Sequence, residues 1–354
     1  MIYCKQHSKI ILWIKKIFII TIFFKINLKE IIKVALPYKN SNDFMTGKFY
    51  DNTYFHFFVS ALKRNPNIQV TYFPVETTFD TSILENNFDL VLLWSNADYG
   101  NPDKLLGVEK LNIPIIARVG DPSDAKNSIK NHDKFKIDQY FHFWSEEFFY
   151  HYYPKNFKFK TIIFGLEPSL YEKISPFETR IKNKILNSGG VGNTKFLSKI
   201  INKIKNPEFN SLDVYRLRTQ CNSLSYVDYT STLKHKFVND KYSDLLQKYR
   251  ASIAASTLTF VVKMLEIPAA GCLSFLEVSK KNKCEYVGFQ DEKNAIFINE
   301  DNYRDKFDEF ISDPNNSKWE KIANAGRKLV MEEMNNDKAV ESLVDLMKKT
   351  INKN

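Results

Sequence analysis

The chain of 354 residues is too long for one ordinary hydrophobic core and fits two domains of typical size. Hydrophobic residues make up 44% of the chain and aromatic residues 14%, which indicates a globular protein and excludes general disorder. The formal net charge of +10 is spread along the chain, and no zinc-finger spacing, RNP-like motif or basic heptad accompanies it, so we expect no nucleic-acid partner.

The four cysteines do not indicate a metal site or a disulfide framework. Cys4, Cys221, Cys272 and Cys284 are far apart in the chain and form no CxxC pair. We therefore expect no structural metal and a reducing, cytoplasmic compartment, with Cys272 and Cys284 as small buried apolar residues.

The N-terminal residues 1–32 form a basic, apolar segment that we place outside the core fold. The apolar run 10–24 is interrupted by Lys15 and Lys16 and is shorter than the ~20 residues that a membrane-spanning helix needs. No small-residue cleavage site follows it, so a signal peptide is not expected. Two interpretations stay open: peripheral contact with a membrane surface, or an extension that reflects an upstream start codon.

From residue 33 onward, short apolar runs alternate with longer segments. Residues 33–38 are predicted to form a buried strand and residues 54–63 the helix that follows it. Four more runs have the same character and are predicted strands: 68–73, 90–94, 115–119 and 140–144. Nearly continuous apolar runs of this length are typical of parallel strands covered on both faces, so we predict an α/β fold with a doubly wound sheet.

The loop after residue 119 carries the best acidic candidate of this half, Asp121. It follows a predicted strand, where open α/β sheets place ligand contacts, but an Asp-Pro turn also uses such a residue as a cap. A further strand is predicted from residue 161, before a segment rich in Gly and Pro that ends near residue 171. We place the domain boundary there, with domains at 33–170 and 171–354.

The second half contains a glycine-rich turn between a predicted strand, 184–187, and a predicted helix, 195–205. Gly189 and Gly190 lie in this turn, where backbone N–H groups at a helix N-terminus can bind phosphate. The turn lacks both the full GxGxxG pattern and the Walker pattern, so its signal is weak.

A second group of polar residues follows a predicted helix, 242–249, and a predicted strand, 251–256. Ser256 and Thr257 stand at the carboxyl end of that strand, just before a helix that carries Lys263 and Glu266. Hydroxyls suit phosphate oxygens, an ammonium group supplies charge, and a carboxylate can accept hydrogen bonds from ribose hydroxyls.

Lys263 and Glu266 are three residues apart, so on a helix they share one face. The small residues 269–271 then allow the helix end to close against a following strand. The simpler interpretation is a helix that packs against the core and ends at glycine.

The segment 263–271, with the sequence KMLEIPAAG, resembles the donor half of GT-B glycosyltransferases. It is similar in particular to the spore-maturation-protein-like branch of the "glycosyl transferases group 1" families, where K-x-x-E-I-P-A-A-G is the typical form. Lys263 and Glu266 match this form position by position. The resemblance extends over residues 184–348, whereas the N-terminal half resembles the family only in architecture.

Two departures from the family pattern are visible. Arg216 replaces the proline of a Y-P-L-R element that ends in Arg218, and Leu258 stands where an E-x7-E pair has its first glutamate. The carboxylate that would contact the transferred sugar is therefore missing, and the sugar and the stereochemical outcome stay open.

The resemblance implies two Rossmann-like domains facing a cleft and a metal-independent, cofactor-free glycosyltransferase. The donor would be a nucleotide-diphosphate sugar, and the acceptor a glycan, a lipid-linked molecule or another compound. The implied roles are diphosphate stabilisation by Arg218 and Lys263, donor binding by Gly189, Gly190, Ser256, Thr257 and Glu266, with Glu266 on the ribose, and base catalysis by Asp121 if the reaction inverts. In a retaining reaction Asp121 would orient the acceptor.

Two alternatives stay open because a fold does not prove its chemistry. One is a non-catalytic protein that binds sugar nucleotides or glycans on the same scaffold. The other is a sugar-nucleotide epimerase or hydrolase.

Overall fold

The computed structural model describes residues 31–41, 54–205, 207, 209–230 and 241–353. This part of the chain forms two separate parallel sheets, of six and five strands, with helices packed around them, as the α/β prediction requires. Residues 1–30 of the basic apolar segment predicted at 1–32 lie outside the described residues. The last residue of that segment, Ile32, belongs to the first sheet, where it pairs with Ile68.

The first sheet is built from the short apolar runs of the N-terminal half. Its strands and an accompanying pair are, in chain order, β1 (Ile32–Lys39), β2 (Ile68–Val75), β3 (Thr78–Asp80), β4 (Leu90–Leu93), β5 (Lys104–Leu106), β6 (Ile115–Arg118), β7 (Gln139–His142) and β8 (Phe159–Thr161). Six of them form one parallel sheet in the order β2-β1-β4-β6-β7-β8, while β3 pairs with β5. β4, β6 and β7 are buried along their whole length, as expected of parallel strands covered on both faces.

The helices of this half are α1 (Tyr54–Arg64), α2 (Ala125–Ser128), α3 (Asn131–Phe135) and α4 (Glu146–Tyr152). α4 begins at a clear capping signal, because the Ser145 hydroxyl accepts a hydrogen bond from the backbone N–H of Phe148 at 3.1 Å. Glu146 and Glu147 in its first turn also complement the positive end of the helix dipole. These features fix the start of α4 directly after β7.

The predicted strands of the N-terminal half agree with the observed ones to within two residues at each end, except for the last. The strand predicted from residue 161 is misplaced, because β8 ends at Thr161. The backbone N–H of Ile162 still donates to the His142 carbonyl at 2.8 Å, and the chain then leaves the sheet. Ile162 and Phe164 are buried and Ile163 is half-buried, all outside the sheet. An apolar pattern alone does not distinguish such a segment from a strand.

The second sheet is formed by β9 (Ile181–Ser188), β10 (Val227–Thr230), β11 (Tyr249–Ala254), β12 (Leu273–Glu277) and β13 (Ile296–Ile298). All are parallel, in the order β10-β9-β11-β12-β13. The helices of this half are α5 (Phe196–Lys205), α6 (Ser211–Val214), α7 (Arg216–Cys221), α8 (Tyr242–Leu246), α9 (Lys263–Ala269), α10 (Tyr303–Ser312), α11 (Ser317–Glu333) and α12 (Asn336–Ile351). The predicted helix at 242–249 is shorter than expected, because β11 begins at Tyr249.

The final helix, α12, returns to the first sheet and packs against α1. At its start the buried side chain of Asn336 accepts a hydrogen bond from the Gly165 N–H at 2.7 Å, and the Asn336 N–H donates to the Leu166 carbonyl at 2.8 Å. Arg64 of α1 forms ion pairs with Asp337 at 2.9 Å and with Glu167 at 3.1 Å. One hydrophobic cluster accordingly includes residues of the first sheet together with α9 and α12.

Among the helices of the described residues, none has the length and apolar composition that crossing a bilayer requires. The described cysteines, Cys221, Cys272 and Cys284, are buried and have free thiols.

The Asn336 hydrogen bond yields a stability prediction. Asn336→Ala leaves the buried N–H of Gly165 without an acceptor, so we expect the free energy of unfolding to fall by about 1–3 kcal/mol in chemical denaturation. The matched control is Asp337→Ala, which removes only a solvent-exposed ion pair and should cost less than about 1 kcal/mol. If both variants lose the same free energy of unfolding, the buried hydrogen bond from Gly165 to Asn336 does not contribute more to stability than the exposed ion pair.

Candidate functional site

The predicted glycine-rich turn lies where β9 ends, and Gly189 is held at a φ of +97°, which side chains other than glycine rarely adopt. A Cβ atom at this position would collide with Lys263 Nζ and would lie 3.1 Å from Arg218 Nη1. Glycine is therefore required here for two cationic side chains to approach the turn. The structure thus brings together three of the predicted site residues.

The backbone N–H groups of this turn are less available than the sequence suggested. The Gly189 N–H donates to the Thr230 carbonyl at 3.0 Å, and the Gly192 N–H donates to the Thr219 hydroxyl at 2.8 Å. Within the described part of the chain, no acceptor engages the N–H of Gly190. Of the two glycines predicted to bind phosphate, only Gly190 therefore keeps its N–H available, beside the two cations.

Lys263 begins α9, and its amine donates a hydrogen bond to the Ser188 carbonyl at the end of β9. The side chain is half-buried. Burial holds the pKa of Lys263 well below its ordinary value, the nearby Arg218 charge lowers it further, and only Glu266 acts in the opposite direction. An anion placed beside this amine would favour its charged form.

Arg218, on α7, is buried with its guanidinium bonded to backbone carbonyls on both sides of the site. Nη1 donates to Gly190 at 2.9 Å, while Nε at 3.0 Å and Nη2 both donate to Ala255. The guanidinium also stacks over the Tyr215 ring, 4.5 Å from its centroid. Arg218 therefore joins the glycine turn to the loop after β11 and adds a buried positive charge to the site.

Glu266 lies one helical turn after Lys263 on the same half-buried face of α9. Burial raises the pKa of Glu266 to about 7, and the positive charge of Lys263 opposes this rise. The predicted pairing of an ammonium and a carboxylate on one helix face is present. α9 then ends as expected, because Gly271 adopts a φ of +71° and Arg180 Nη1 caps the Ala270 carbonyl at 2.8 Å.

Ser256 and Thr257 follow the carboxyl end of β11, as predicted, but both are buried. The Ser256 hydroxyl has no hydrogen-bond partner in the described structure. The Thr257 hydroxyl accepts a hydrogen bond from the Leu217 N–H at 3.5 Å, and it lowers the pKa of the nearby Glu277 carboxyl. Direct contact of either hydroxyl with a ligand would therefore require the loop after β11 to shift.

Sequence reasoning missed Glu277, the last residue of β12. It is buried, its Oε2 atom has no hydrogen-bond partner in the described structure, and burial raises its pKa to about 7 against the opposing effects of Thr257 and Arg218. Asn282 holds this region together by donating from its side chain to the Ser256 carbonyl at 3.0 Å and the Glu277 carbonyl at 2.7 Å. The available signal was an acidic residue directly after a buried apolar run, at the carboxyl end of a strand.

Asp121 stands on the first sheet, after β6, and its carboxylate caps a short 3₁₀ helix. Oδ1 accepts from the Ser123 N–H at 2.9 Å and from the Ser123 hydroxyl at 2.8 Å. Capping was the simpler of the two interpretations of this residue, and it is the role visible in the geometry. The described hydrogen bonds of Asp121 do not reach the residues around Lys263.

A cavity of about 520 Å³ lies between α4 of the first half and the loops after β11 and β12. Polar contacts of the described residues bridge the halves here, namely an ion pair of Lys283 with Glu147 and a hydrogen bond from the Tyr286 hydroxyl to the Phe143 carbonyl at 2.7 Å. The cavity lining combines aromatic and basic side chains: Phe148, Tyr150, His151, Tyr152, Lys155, Lys280, Lys281 and Lys283. Leu258, the residue at the position of the missing carboxylate, also lines it.

Within the described residues, no group of three or more His, Cys, Asp or Glu side chains is arranged to hold a metal ion.

Comparison with solved structures decides the fold. The chain is similar to a glycosyltransferase from Rickettsia africae, with a TM-score of 0.55 at 11% identity, over 91% of this chain and 99% of that one. It is similar to sucrose-phosphate synthase from Thermosynechococcus elongatus, with a TM-score of 0.58 at 9% identity, over 91% of this chain and 100% of that one. The chain has the GT-B fold.

A third structure with this fold, HepE of Anabaena in complex with UDP-glucose, matches with a TM-score of 0.54 at 9% identity, over 90% of this chain and 100% of that one. No family model matches the chain, and no curated protein matches it. The GT-B fold therefore rests on tertiary structure, while the branch suggested by the K-x-x-E-I-P-A-A-G form stays a prediction.

Glu277 yields a pH prediction. Its pKa in the folded chain, about 7, lies above the ordinary value of 4.5, so the folded state keeps a proton that the unfolded state releases. Stability from this group is present at low pH and is lost as pH rises from 4.5 towards 7. Glu277→Gln removes this loss, so the variant should gain up to about 3 kcal/mol relative to the wild type between pH 5 and pH 8, measured by denaturant unfolding.

The control for that measurement is Glu320→Gln, which removes an exposed carboxylate of α11. If the stability curves of wild type and Glu277→Gln run parallel across this pH range, Glu277 is not protonated in the folded protein at neutral pH.

Proposed function

We propose that the protein is a glycosyltransferase that moves a sugar from a nucleotide-diphosphate donor to an acceptor bound in the cleft between the two sheets. The observation that carries this proposal is the convergence of Lys263 and Arg218 on Gly189, with Glu266 on the same face of α9. Two cations beside a strand end can bind a diphosphate, and a carboxylate one helical turn further on can accept hydrogen bonds from the ribose attached to it.

Lys263 is the group proposed to contact the diphosphate directly. Its half-buried amine has a lowered pKa, so a bound diphosphate would restore its charge and gain a strong, poorly screened attraction. As the bond between sugar and diphosphate breaks, negative charge grows on the leaving oxygen. A fixed ammonium group at that point stabilises the transition state more than the ground state.

Arg218 is proposed as a positioning residue. Each of its three nitrogens already donates to the carbonyl of Gly190 or Ala255, so it is proposed to act on the donor through its charge and by holding the turn in place. The free N–H of Gly190 is proposed to bind a phosphate oxygen. Ser256 and Thr257 are proposed to join the donor site when the loop after β11 shifts.

Glu266 is proposed to hold the ribose. Its ionised carboxylate can accept hydrogen bonds from two adjacent hydroxyls, which are donors of the kind that a ribose presents. Because its pKa is about 7, ribose binding through the ionised form is expected to strengthen as pH rises through neutrality.

The cavity beside α4 is proposed to receive the acceptor. It lies at the carboxyl ends of strands from both sheets, next to the loop that carries Ser256 and Leu258. Within the described residues, Lys280 and Lys281 form no ion pair, so the cavity offers uncompensated positive charge beside aromatic surface. A glycan or lipid-linked acceptor with a negatively charged group fits this lining.

For the base we retain Asp121, at the carboxyl end of β6, as the proposal for an inverting reaction. Its carboxylate would have to exchange Ser123 for the acceptor hydroxyl. In a retaining reaction the same residue would orient the acceptor.

The function is tested by titrating a panel of nucleotide sugars into the purified chain by calorimetry, followed by an assay for turnover. UDP-glucose comes first in the panel, because HepE was solved with that ligand on the same fold. Binding with sugar transfer supports the proposal. Failure of every member of the panel to bind contradicts the proposal. Binding without turnover indicates the non-catalytic binding protein. Release of the sugar without an acceptor indicates a hydrolase, and inversion of a sugar stereocentre without an acceptor indicates an epimerase.

Glu266→Ala is the sharpest variant for the donor site. Loss of charge-assisted hydrogen bonds to the ribose should weaken donor binding by roughly 10- to 100-fold in the same calorimetry. Glu320→Gln, with an exposed carboxylate on α11, is the control and should leave the affinity unchanged. An unchanged affinity in Glu266→Ala, with an unaltered thermal unfolding profile, would show that the ribose assignment is wrong.

The acceptor cavity is tested with Lys280→Gln/Lys281→Gln, using the donor that the panel identifies and the glycan and polar-lipid fractions of the source organism as acceptors. We expect the acceptor concentration needed for half-maximal transfer to rise about ten-fold or more, because charge-assisted hydrogen bonds to the acceptor are lost. The donor affinity should not change. Unaltered acceptor dependence would place the acceptor elsewhere in the cleft.

A further inference from the structure

Helix α5 exposes an unusual amount of apolar surface for a helix beside a sheet. Leu197 and Ile204 are exposed to 71% and 75%, and Ile200 and Ile201 to 43% and 50%. Together they make up four of the ten large apolar side chains that are exposed in the described part of the chain. Contiguous exposed apolar side chains are typical of surfaces that bind a membrane, another protein or a ligand.

The spacing of these four residues places them on one side of the helix. Positions 197, 200, 201 and 204 follow the i, i+3, i+4, i+7 pattern, so they form a single stripe along the ~15 Å length of the helix. The stripe faces solvent instead of the core.

The sequence from residue 195 to residue 205 carries only positive charges. The charged residues between positions 195 and 205 are Lys195, Lys199, Lys203 and Lys205, and there is no acidic residue among them. Lys195 and Lys203 are exposed. Lys203 lies three residues after Ile200, so its side chain projects from the helix face next to the stripe. The positive charge of Lys203 lowers the pKa of Asp213, but that carboxylate already pairs with Arg216 at 2.7 Å.

We propose that α5 docks on an anionic lipid surface, with the Leu197, Ile200, Ile201 and Ile204 stripe in the headgroup region and the exposed Lys195 and Lys203 on the lipid phosphates. A helix with a narrow apolar face, low mean hydropathy and lysines on the polar face lies in the plane of a membrane interface. The lysine side chains are long enough to reach the phosphates while their stems cover apolar surface.

A second copy of this chain fits the surface less well. Pairing of two such stripes about a two-fold axis would bring the lysines of one helix close to those of the other. One face of a ten-residue helix is also much smaller than the ~1,000 Å² that a stable protein interface buries. Positive charge beside apolar side chains is complementary to an acidic lipid headgroup over acyl chains.

This docking surface is independent of the donor-site proposal, but the two are connected in the chain. The segment 189–195 joins the glycine turn at the end of β9 to the start of α5. Docking through α5 therefore holds this turn near the bilayer, where a lipid-linked acceptor would be presented.

The test is co-sedimentation of the full chain with vesicles of phosphatidylcholine alone and with vesicles in which phosphatidylglycerol replaces part of the phosphatidylcholine. We expect binding to the anionic vesicles, weakened by high salt. Leu197→Gln/Ile204→Gln should reduce the partition coefficient about ten-fold or more, because two side chains lose their apolar contact with lipid. The matched control is Ile83→Gln/Leu106→Gln, which removes two exposed apolar side chains of the first half and should bind like the wild type.

Three results would overturn the proposal. The first is absence of vesicle binding in the wild type. The second is vesicle binding that Leu197→Gln/Ile204→Gln leaves unchanged, which assigns the membrane contact to another part of the chain. The third is a dimer, measured by sedimentation equilibrium without lipid, that Leu197→Gln/Ile204→Gln converts to a monomer.

Discussion

The buried guanidinium of Arg218 is the contact on which the site depends. A charge inside a protein is tolerated only when its hydrogen-bonding groups are satisfied, and here backbone carbonyls of Gly190 and Ala255 satisfy them. Because these carbonyls follow the neighbouring strands β9 and β11, the arginine joins the two loops beyond the point where the strands' own pairing ends. A side chain at residue 189 would collide with Lys263 Nζ and lie 3.1 Å from Arg218 Nη1, so the glycine, the arginine and Lys263 form one unit.

The electrostatics of the site follow from burying several ionisable groups together. Lys263 has a lowered pKa, while Glu266 and Glu277 both have pKa values raised to about 7. Each shift shows that the folded protein, by itself, penalises the charged form. A site of this kind gains most from a ligand that brings its own compensating charge, and this is the physical basis for proposing a diphosphate next to the ammonium group.

The fold was largely predictable because parallel strands buried on both faces leave short, almost wholly apolar runs in the sequence. β4 and β6 were identified in this way to within one residue. The pattern failed at residues 162–164, which are equally apolar but lie outside the sheet, where the Phe164 ring packs against Phe58 and Phe143. The next residue, Gly165, donates its N–H to the Asn336 side chain. That contact joins residues far apart in the chain, and no local pattern reports it.

The sequence by itself determined the α/β class and the pairing of Lys263 with Glu266 on one helix face, because helical spacing and strand burial are local properties of the chain. Tertiary structure decided the rest. It brought Arg218 and Lys263 to Gly189, engaged the Gly189 N–H with Thr230, and buried Glu277 without a full set of partners. These outcomes depend on how strands and loops that are distant in sequence pack together. That packing determines which polar groups form hydrogen bonds within the protein and which stay available to a ligand.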